Sequence, residues 1–353
     1  MKISKFLLSI FLLSVLFVSC DDDDEPQLPK GDYENGIIIS GEGVATGSVY
    51  FVSDDYVTTE SLIYKNVNGA DLGVYLQSIS FDDDYAYIIV DNQNTIVVVD
   101  RYTFEYVGEI TTDLILPRYM VIEDGIGYAT NWGSTYDATD DFVAVIDLDA
   151  FEVTSTIPVG NGPERIVEEN GKLYVSHKGA WSTNNIVTVI DIDTQATSEI
   201  TVGDNPDELF VNNSGDLVVL SEGRTIYDEN WNWLGQTDAV ITTIDTNSDT
   251  VSSELAFPSG SNPSLMVEDD SYIYYNLGSS IYKMDVSATS LPTTALLETE
   301  AAYLYGLEVE DDSVYTLDAN FSGESKMNVF SLSTGAKTNT TAAPVGASKI
   351  YFN

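Results

Sequence analysis

Pro163-Glu164-Arg165-Ile166-Val167, then Leu173-Tyr174-Val175-Ser176, then Ile186-Val187-Thr188-Val189-Ile190-Asp191 is the stretch that decides the fold. Three short runs rich in Val, Ile, Thr and Tyr, separated by glycine and acidic turns, read as antiparallel strands. The same register occurs upstream at Pro117-Arg118-Tyr119-Met120-Val121-Ile122, Gly127-Tyr128-Ala129-Thr130 and Phe142-Val143-Ala144-Val145-Ile146-Asp147. It recurs at 206–211 with 217–220 and at 263–267 with 273–276, and in weaker form at 77–81 with 85–90 and at 305–309 with 314–317. A fourth strand follows each third one, as in Val153-Thr154-Ser155-Thr156-Ile157-Pro158-Val159. A period of roughly 40 to 55 residues made only of strands is the pattern of propeller blades.

Aligning the second strands gives 37–40, 87–90, 128–131, 174–177, 218–221, 274–277 and 315–318, hence seven blades. The first unit lacks an innermost strand of its own, and the chain ends in Gly346-Ala347-Ser348-Lys349-Ile350-Tyr351-Phe352, which reads as the opening strand of a further repeat. That segment is expected to complete blade one and close the ring, covering edges otherwise left unpaired. The expected fold is therefore an all-β seven-bladed propeller of four-stranded antiparallel blades.

The beginning of the chain carries a different signal. Lys2 and Lys5 precede an apolar run over 6–18, too short to span a bilayer as a mature helix, which ends at Ser19-Cys20. The segment Leu16-Phe17-Val18-Ser19-Cys20 resembles a bacterial lipobox, with Phe17 a departure from its usual leucine. Residues 1–19 then form a lipoprotein signal peptide, and acylation of Cys20 anchors the mature chain to a membrane. Cys20 is the only cysteine, so no disulfide can brace the domain. Asp21-Asp22-Asp23-Asp24-Glu25 follows, similar to the acidic export signal of surface lipoproteins of Bacteroidota. Residues 20–35 are expected as a disordered acidic tether and 36–353 as the propeller.

With 14 basic and 57 acidic residues, a formal charge of −43, the chain is a poor partner for nucleic acid or for docking on anionic lipid. Its basic groups are not spread evenly, however. In a propeller the loops from strand two to three and from strand four to the next strand one emerge on one face. Those loops carry all four tryptophans (Trp132, Trp181, Trp231 and Trp233) and three of the four arginines (Arg118, Arg165 and Arg224), with Tyr119, Tyr136, Lys178 and the lone His177. Read alone, this is a local reversal of sign. It suits a large, partly apolar ligand bearing carboxamide, phosphate or catecholate groups. The long loop over 221–233 is a candidate flap or partner-contacting finger.

Enzymatic readings are weak. One histidine excludes His-rich metal sites and HExxH, and no Gly-x-Ser-x-Gly elbow presents a nucleophile to His177. No glycine-rich phosphate loop lies between a strand and a helix. Acidic clusters such as Asp82-Asp83-Asp84 and Asp140-Asp141 could hold calcium, but none has EF-hand spacing. The chain is expected to be no enzyme and to need no cofactor.

The motifs Pro-x-x-apolar-apolar, Gly-x-apolar-Tyr-Val-Ser and apolar-Val-Ile-Asp resemble the YncE-like seven-bladed propeller family over nearly the whole mature chain. With the lipobox and acidic signal, the chain is similar to surface propeller lipoproteins of Bacteroidota such as the cobalamin-capturing BtuG type. The resemblance implies an outer-membrane, lipid-anchored, surface-exposed protein that captures cobalamin or another corrinoid and passes it to a TonB-dependent outer-membrane transporter. Iron-siderophore or haem capture and a non-transport adhesin or interaction scaffold are the alternatives. No family motif assigns individual ligand contacts.

Overall fold

The structure, a computed structural model, describes residues 29–353. The signal peptide over 1–19, Cys20 and the acidic run after it lie outside the described residues. Seven four-stranded antiparallel sheets stand in a ring, each with strands in sequence order except the first. There Ala347–Phe352 is the innermost strand, paired with Gly36–Gly41 in the register Ile37 with Phe352 and Ile39 with Ile350. The expected closure by the C-terminal strand is thus the observed one. Asn353 reinforces it: its backbone N–H donates to the Gly36 carbonyl (2.9 Å) and its Nδ2 to the Tyr33 carbonyl (2.6 Å), while Arg101 Nε donates to its Oδ1 (2.6 Å).

The physical reason for a ring is visible in the burial. Second and third strands such as Lys172–His177 and Ile186–Asp191 are buried on both faces, while fourth strands such as Glu152–Pro158 alternate and Thr250–Ala256 is almost wholly exposed. Alternate residues of one strand serve opposite neighbours. Tyr274 packs with Leu307 and Val314 of blade seven, whereas the adjacent Tyr275 packs with Phe257 and Leu220 of blade five. The apolar core is accordingly divided into seven clusters, one at each blade-to-blade interface. A single blade has no core of its own.

Packed structure begins slightly earlier than the tether expectation allows. Tyr33 is buried between Phe51 and Phe104, ring centroids 5.3 and 5.5 Å away, and its N–H donates to the Tyr102 carbonyl. An aromatic ring that fills the gap at the blade one–two interface outweighs the polar residues around it.

One irregularity positions the functional face. The innermost strands of blades two to five and seven all shift register after their first residue, between Leu76 and Ser78, Pro117 and Met120, Pro163 and Ile166, Pro206 and Leu209, and Leu304 and Gly306. Such bulges re-aim side chains. Here they bring Gln77, Arg118, Tyr119, Glu164, Arg165, Asp207, Glu208 and Tyr305, second or third residues of those strands, to the axial mouth.

Candidate functional site

The bulges surround a cavity of ≈ 680 Å³ at the axial mouth, on the face where strands one begin and strands two end. Arg118 and Tyr119, Glu164 and Arg165, and Asp207 and Glu208 occupy the second and third positions of blades three, four and five. Ser264, Leu265, Tyr305 and Lys349 occupy matching places in blades six, seven and one, and all ten side chains line the cavity.

Two hydroxyls hold the bulges in place and tie blades together. Thr130 Oγ1 accepts from the Tyr119 N–H of its own blade (3.1 Å) and donates to the Glu164 carbonyl of the next (2.7 Å). Ser176 Oγ repeats this device, accepting from the Arg165 N–H (3.2 Å) and donating to the Asp207 carbonyl (2.8 Å). A buried polar pair of this kind is favoured because both partners are satisfied. Close backbone approach adds a second constraint: Gly162 sits at φ 67° against Gly179 and Ala180, where a Cβ would meet Ala180 N at 2.1 Å.

Blades two to five carry an ionic belt. Arg118 Nη2 donates to Glu164 Oε1 (2.8 Å) and Nη1 to Asp91, with the guanidinium 3.8 Å from the Trp132 ring centroid. Arg165 Nε donates to Asp207 (3.2 Å) and Nη2 to Glu208, over the Tyr119 ring at 4.7 Å. Lys178 Nζ bridges Asp207 (2.7 Å) and Glu222 (3.0 Å). Burial works against the charge of Arg118, Arg165 and Lys178, but the neighbouring carboxylates outweigh it and hold all three more basic than usual. Burial likewise opposes the Asp207 charge, yet Lys178 and Arg165 keep that carboxyl well below its ordinary range. Glu222, further from compensation, is pushed up by burial to about 7.

The expected reversal of sign is therefore corrected. Four cations line the mouth (Arg118, Arg165, Lys178, Lys349) against six carboxyl groups (Glu42, Asp91, Glu164, Asp207, Glu208, Glu222). The arginines are neutralised in place, because a guanidinium so deeply buried is stable only beside carboxylates.

Blades six, seven and one present a different wall. Tyr303, Tyr305 and Phe321 form an aromatic cluster with centroids 5.3 to 6.0 Å apart, and Tyr305 donates its hydroxyl to Glu42 (2.8 Å). Across from them Trp132 and Trp181 meet edge to face at 6.1 Å, the latter 74% exposed.

Of the residues singled out from sequence, Arg118, Tyr119, Trp132, Arg165, Lys178 and Trp181 meet in this mouth. The others do not. Tyr136 is 98% exposed on its loop, and Arg224 donates to Asp204 (2.9 Å) outside the cavity. Trp231 and Trp233 ride on a separate two-stranded hairpin, Thr225–Tyr227 with Trp233–Gln236, and are 81% and 65% exposed. His177 is fully buried, its Nε2 2.8 Å from Thr188 Oγ1 and its Nδ1 3.3 Å from the Asn161 carbonyl. Burial lowers its pKa to about 4, so it stays neutral and structural. Sequence reading offered Glu164 and Asp137 as acids that could pair with the arginines; Glu164 does so, while Asp91, Asp207, Glu208 and Glu222 of the belt, with Tyr303, Tyr305 and Lys349, were missed. Counting one and two residues past each strand-opening residue would have found Asp207, Glu208, Tyr305 and Lys349. Among the described residues no cluster of three or more His, Cys, Asp or Glu side chains is arranged to hold a metal ion.

Residues 35–343 match a protein-family model described as a domain of unknown function, DUF5074. No curated protein matches the sequence. Similar solved structures include dihydro-heme d1 dehydrogenase NirN in complex with DHE (12% identity, covering 93% of this chain and 77% of that one, TM-score 0.57). Hydrazine synthase of Kuenenia stuttgartiensis is similar at 15% identity, covering 76% and 86%, with TM-score 0.61. Apo AztD from Citrobacter koseri is similar at 10% identity, covering 89% and 96%, with TM-score 0.54. Enzymes are among these neighbours, and identities this low carry the propeller fold alone.

Proposed function

The chain belongs to the DUF5074 family, and we propose that it is a capture protein, whose axial mouth takes up a large, mostly uncharged ligand and whose ring performs no chemistry on it. The observation that carries this reading is the ≈ 680 Å³ cavity walled by Trp132 and Trp181 on one side and Tyr303 and Tyr305 on the other. Facing aromatic planes reward a bulky ligand with apolar faces. Backbone and side-chain polar groups at the rim offer hydrogen bonds to amides. The mutual neutralisation of the belt speaks against a polyanion, since such a ligand would have to displace carboxylates from Arg118 and Arg165. On this reading a corrinoid such as cobalamin, amide-rich and bulky, is favoured over a catecholate siderophore, with haem between them.

The Leu16–Cys20 lipobox and the acidic run behind it support an outer-membrane lipoprotein, lipid-anchored and exposed at the cell surface. Similarity of the blade motifs to YncE-like propellers, and of the whole layout to the BtuG type of Bacteroidota, supports delivery to a TonB-dependent transporter. In this scheme the exposed hairpin with Trp231 and Trp233 is left for contact with that transporter, since it lies outside the mouth. The same hairpin favours the second reading, an adhesin or interaction scaffold, if the mouth proves empty of function.

Isothermal titration with cyanocobalamin, haem and Fe-enterobactin separates these readings. The expected result is a Kd in the micromolar range or tighter for the corrinoid, weakened at least tenfold in Trp132→Ala/Trp181→Ala, by roughly 1.4 kcal/mol or more. Silence with all three ligands would leave the scaffold reading in possession.

A further inference from the structure

Lys349 stands apart from the other cations of the mouth. Arg118, Arg165 and Lys178 each hold two carboxylates. Lys349 lines the same cavity, in the third position of the closing strand, and pairs with no carboxylate among the described residues. Its Nζ lies 5.9 Å from the ring centroid of Tyr119. The hydroxyl oxygen of Tyr119 accepts from Gln77 Nε2 (3.3 Å), and its own O–H finds no acceptor among the described residues. An ammonium and a phenol hydroxyl, neither donating to an acceptor among the described residues, therefore line the same mouth, the ammonium over the face of the phenol ring.

We propose that Lys349 and the Tyr119 hydroxyl receive an oxyanion of the captured ligand, a carboxylate or phosphate-type group carried on a bulky apolar body. The inference rests on the capture reading of this mouth and names the charge its ligand brings. A single oxyanion fits and a polyanion does not, because Lys349 is the one lining cation not already matched. Nearby acids leave it so. The Glu42 carboxylate is engaged by the Tyr305 hydroxyl. Glu308, on the neighbouring strand of blade seven, is pushed up by burial and by Glu208 to about 8, and is mostly uncharged at neutral pH. Asp207 and Glu208 feel the Lys349 charge, but their ion pairs are made on the belt side, with Arg165 and Lys178.

The test uses two fluorescent probes of one shape on residues 20–353: 1-anilinonaphthalene-8-sulfonate, which carries an oxyanion, and neutral N-phenyl-1-naphthylamine. The sulfonate should bind the wild type about tenfold or more tighter than the neutral probe, as expected for a charge-assisted hydrogen bond. Lys349→Gln should erase that preference while leaving the neutral probe's affinity unchanged, and Lys349→Arg should retain it; thermal melting checks that each variant is folded. Inorganic phosphate and benzoate, added as competitors, tell which oxyanion the site prefers, and displacement by neither overturns the proposal. Binding of both probes with no preference, or a preference that survives in Lys349→Gln, also overturns it while the capture reading stands. Absence of binding by either probe, together with silence toward the corrinoid, removes both.

Discussion

The two halves of the axial mouth are both built on the innermost strands of their blades, yet they are held together differently. Blades two to five form an arc of successive hairpins, braced by Arg118, Arg165 and Lys178 between paired carboxylates and by the hydroxyls of Thr130 and Ser176. Blades six, seven and one offer aromatic rings and leucine, and only Lys349 as a cation. This second half also contains the seam, where the chain's last strand meets its first. The difference teaches that ionic bracing is confined to one side of the ring. The belt fixes the position of one wall, while the other is shaped by aromatic packing and by the Tyr305 hydroxyl donating to Glu42.

The largest effect should come from opening the seam. Deleting 347–353 removes the innermost strand of blade one, exposes Ile37 and Ile39, and strips the Asn353 bonds to Gly36, Tyr33 and Arg101. The apolar clusters on both sides of blade one lose their lining, so a cooperative melting transition should disappear. Circular dichroism melting measures it. A truncated chain that melts like the full one would show that the ring does not depend on its closing strand.

Next in size is the belt. Arg165→Met leaves Asp207 buried with Lys178 as its one ion-pair partner and Glu208 with none, and should destabilise by about 3 to 5 kcal/mol. Arg165→Lys should recover only part of that loss, because an ammonium cannot reach two carboxylates in the planar fork geometry of a guanidinium. Chemical denaturation measures both. The comparison sharpens when Lys349→Gln is denatured beside them: Lys349 acts on Asp207, Glu208 and Glu308 only at a distance and makes no ion pair among the described residues, so that variant should lose less. Equal losses at Arg165 and Lys349 would erase the distinction between the two halves.

How much of this was legible in the sequence follows from which signals are local. The repeat of Pro163-x-x-Ile166-Val167 with Leu173-Tyr174-Val175 gives strand order and number directly, and the spare copy at 346–352 gives the closure, because blade packing imposes the same pattern on every unit. Which loops share a face also follows, since connectivity alone sets it. Convergence does not follow. The loop that starts at Ser221 runs on to Gln236 and pairs with itself through Ile226 and Gly235, and its turn is held by Asp228 accepting from the N–H groups of Asn230 and Asn232. That private hairpin carries Trp231 and Trp233 away from Trp132 and Trp181. Of the partners of Arg118 and Arg165, only Glu164 was within reach of sequence reading. With 57 acids in the chain, only the bulges decide that Glu164, Asp207 and Glu208 are the ones turned inward.

Glu308 supplies the smallest and most specific probe of the boundary between the two halves. It lies on the innermost strand of blade seven, and the charges that act on it come from Glu208 and Arg165 of the belt, from Lys349 of the seam and from Glu310 of its own strand. Burial first, and Glu208 second, raise its carboxyl from 4.5 to about 8. A raised carboxyl means the folded chain holds a proton that the unfolded chain has released. The associated stability is complete below about pH 4.5 and is lost as pH rises through about 8. Glu308→Gln has no proton to lose, so it should gain on the wild type steadily across that window and level off above it. The gain at pH 9 should be about 1 kcal/mol, below the full linkage of the shift, because the Glu308 side chain keeps part of its surface exposed. Denaturation of both proteins at pH 5, 7 and 9 measures the difference. A constant offset at all three values would mean that the Glu308 carboxyl titrates as it does in solution. In that case Lys349 would face a charged neighbour after all, and the oxyanion assigned to it would lose its electrostatic footing.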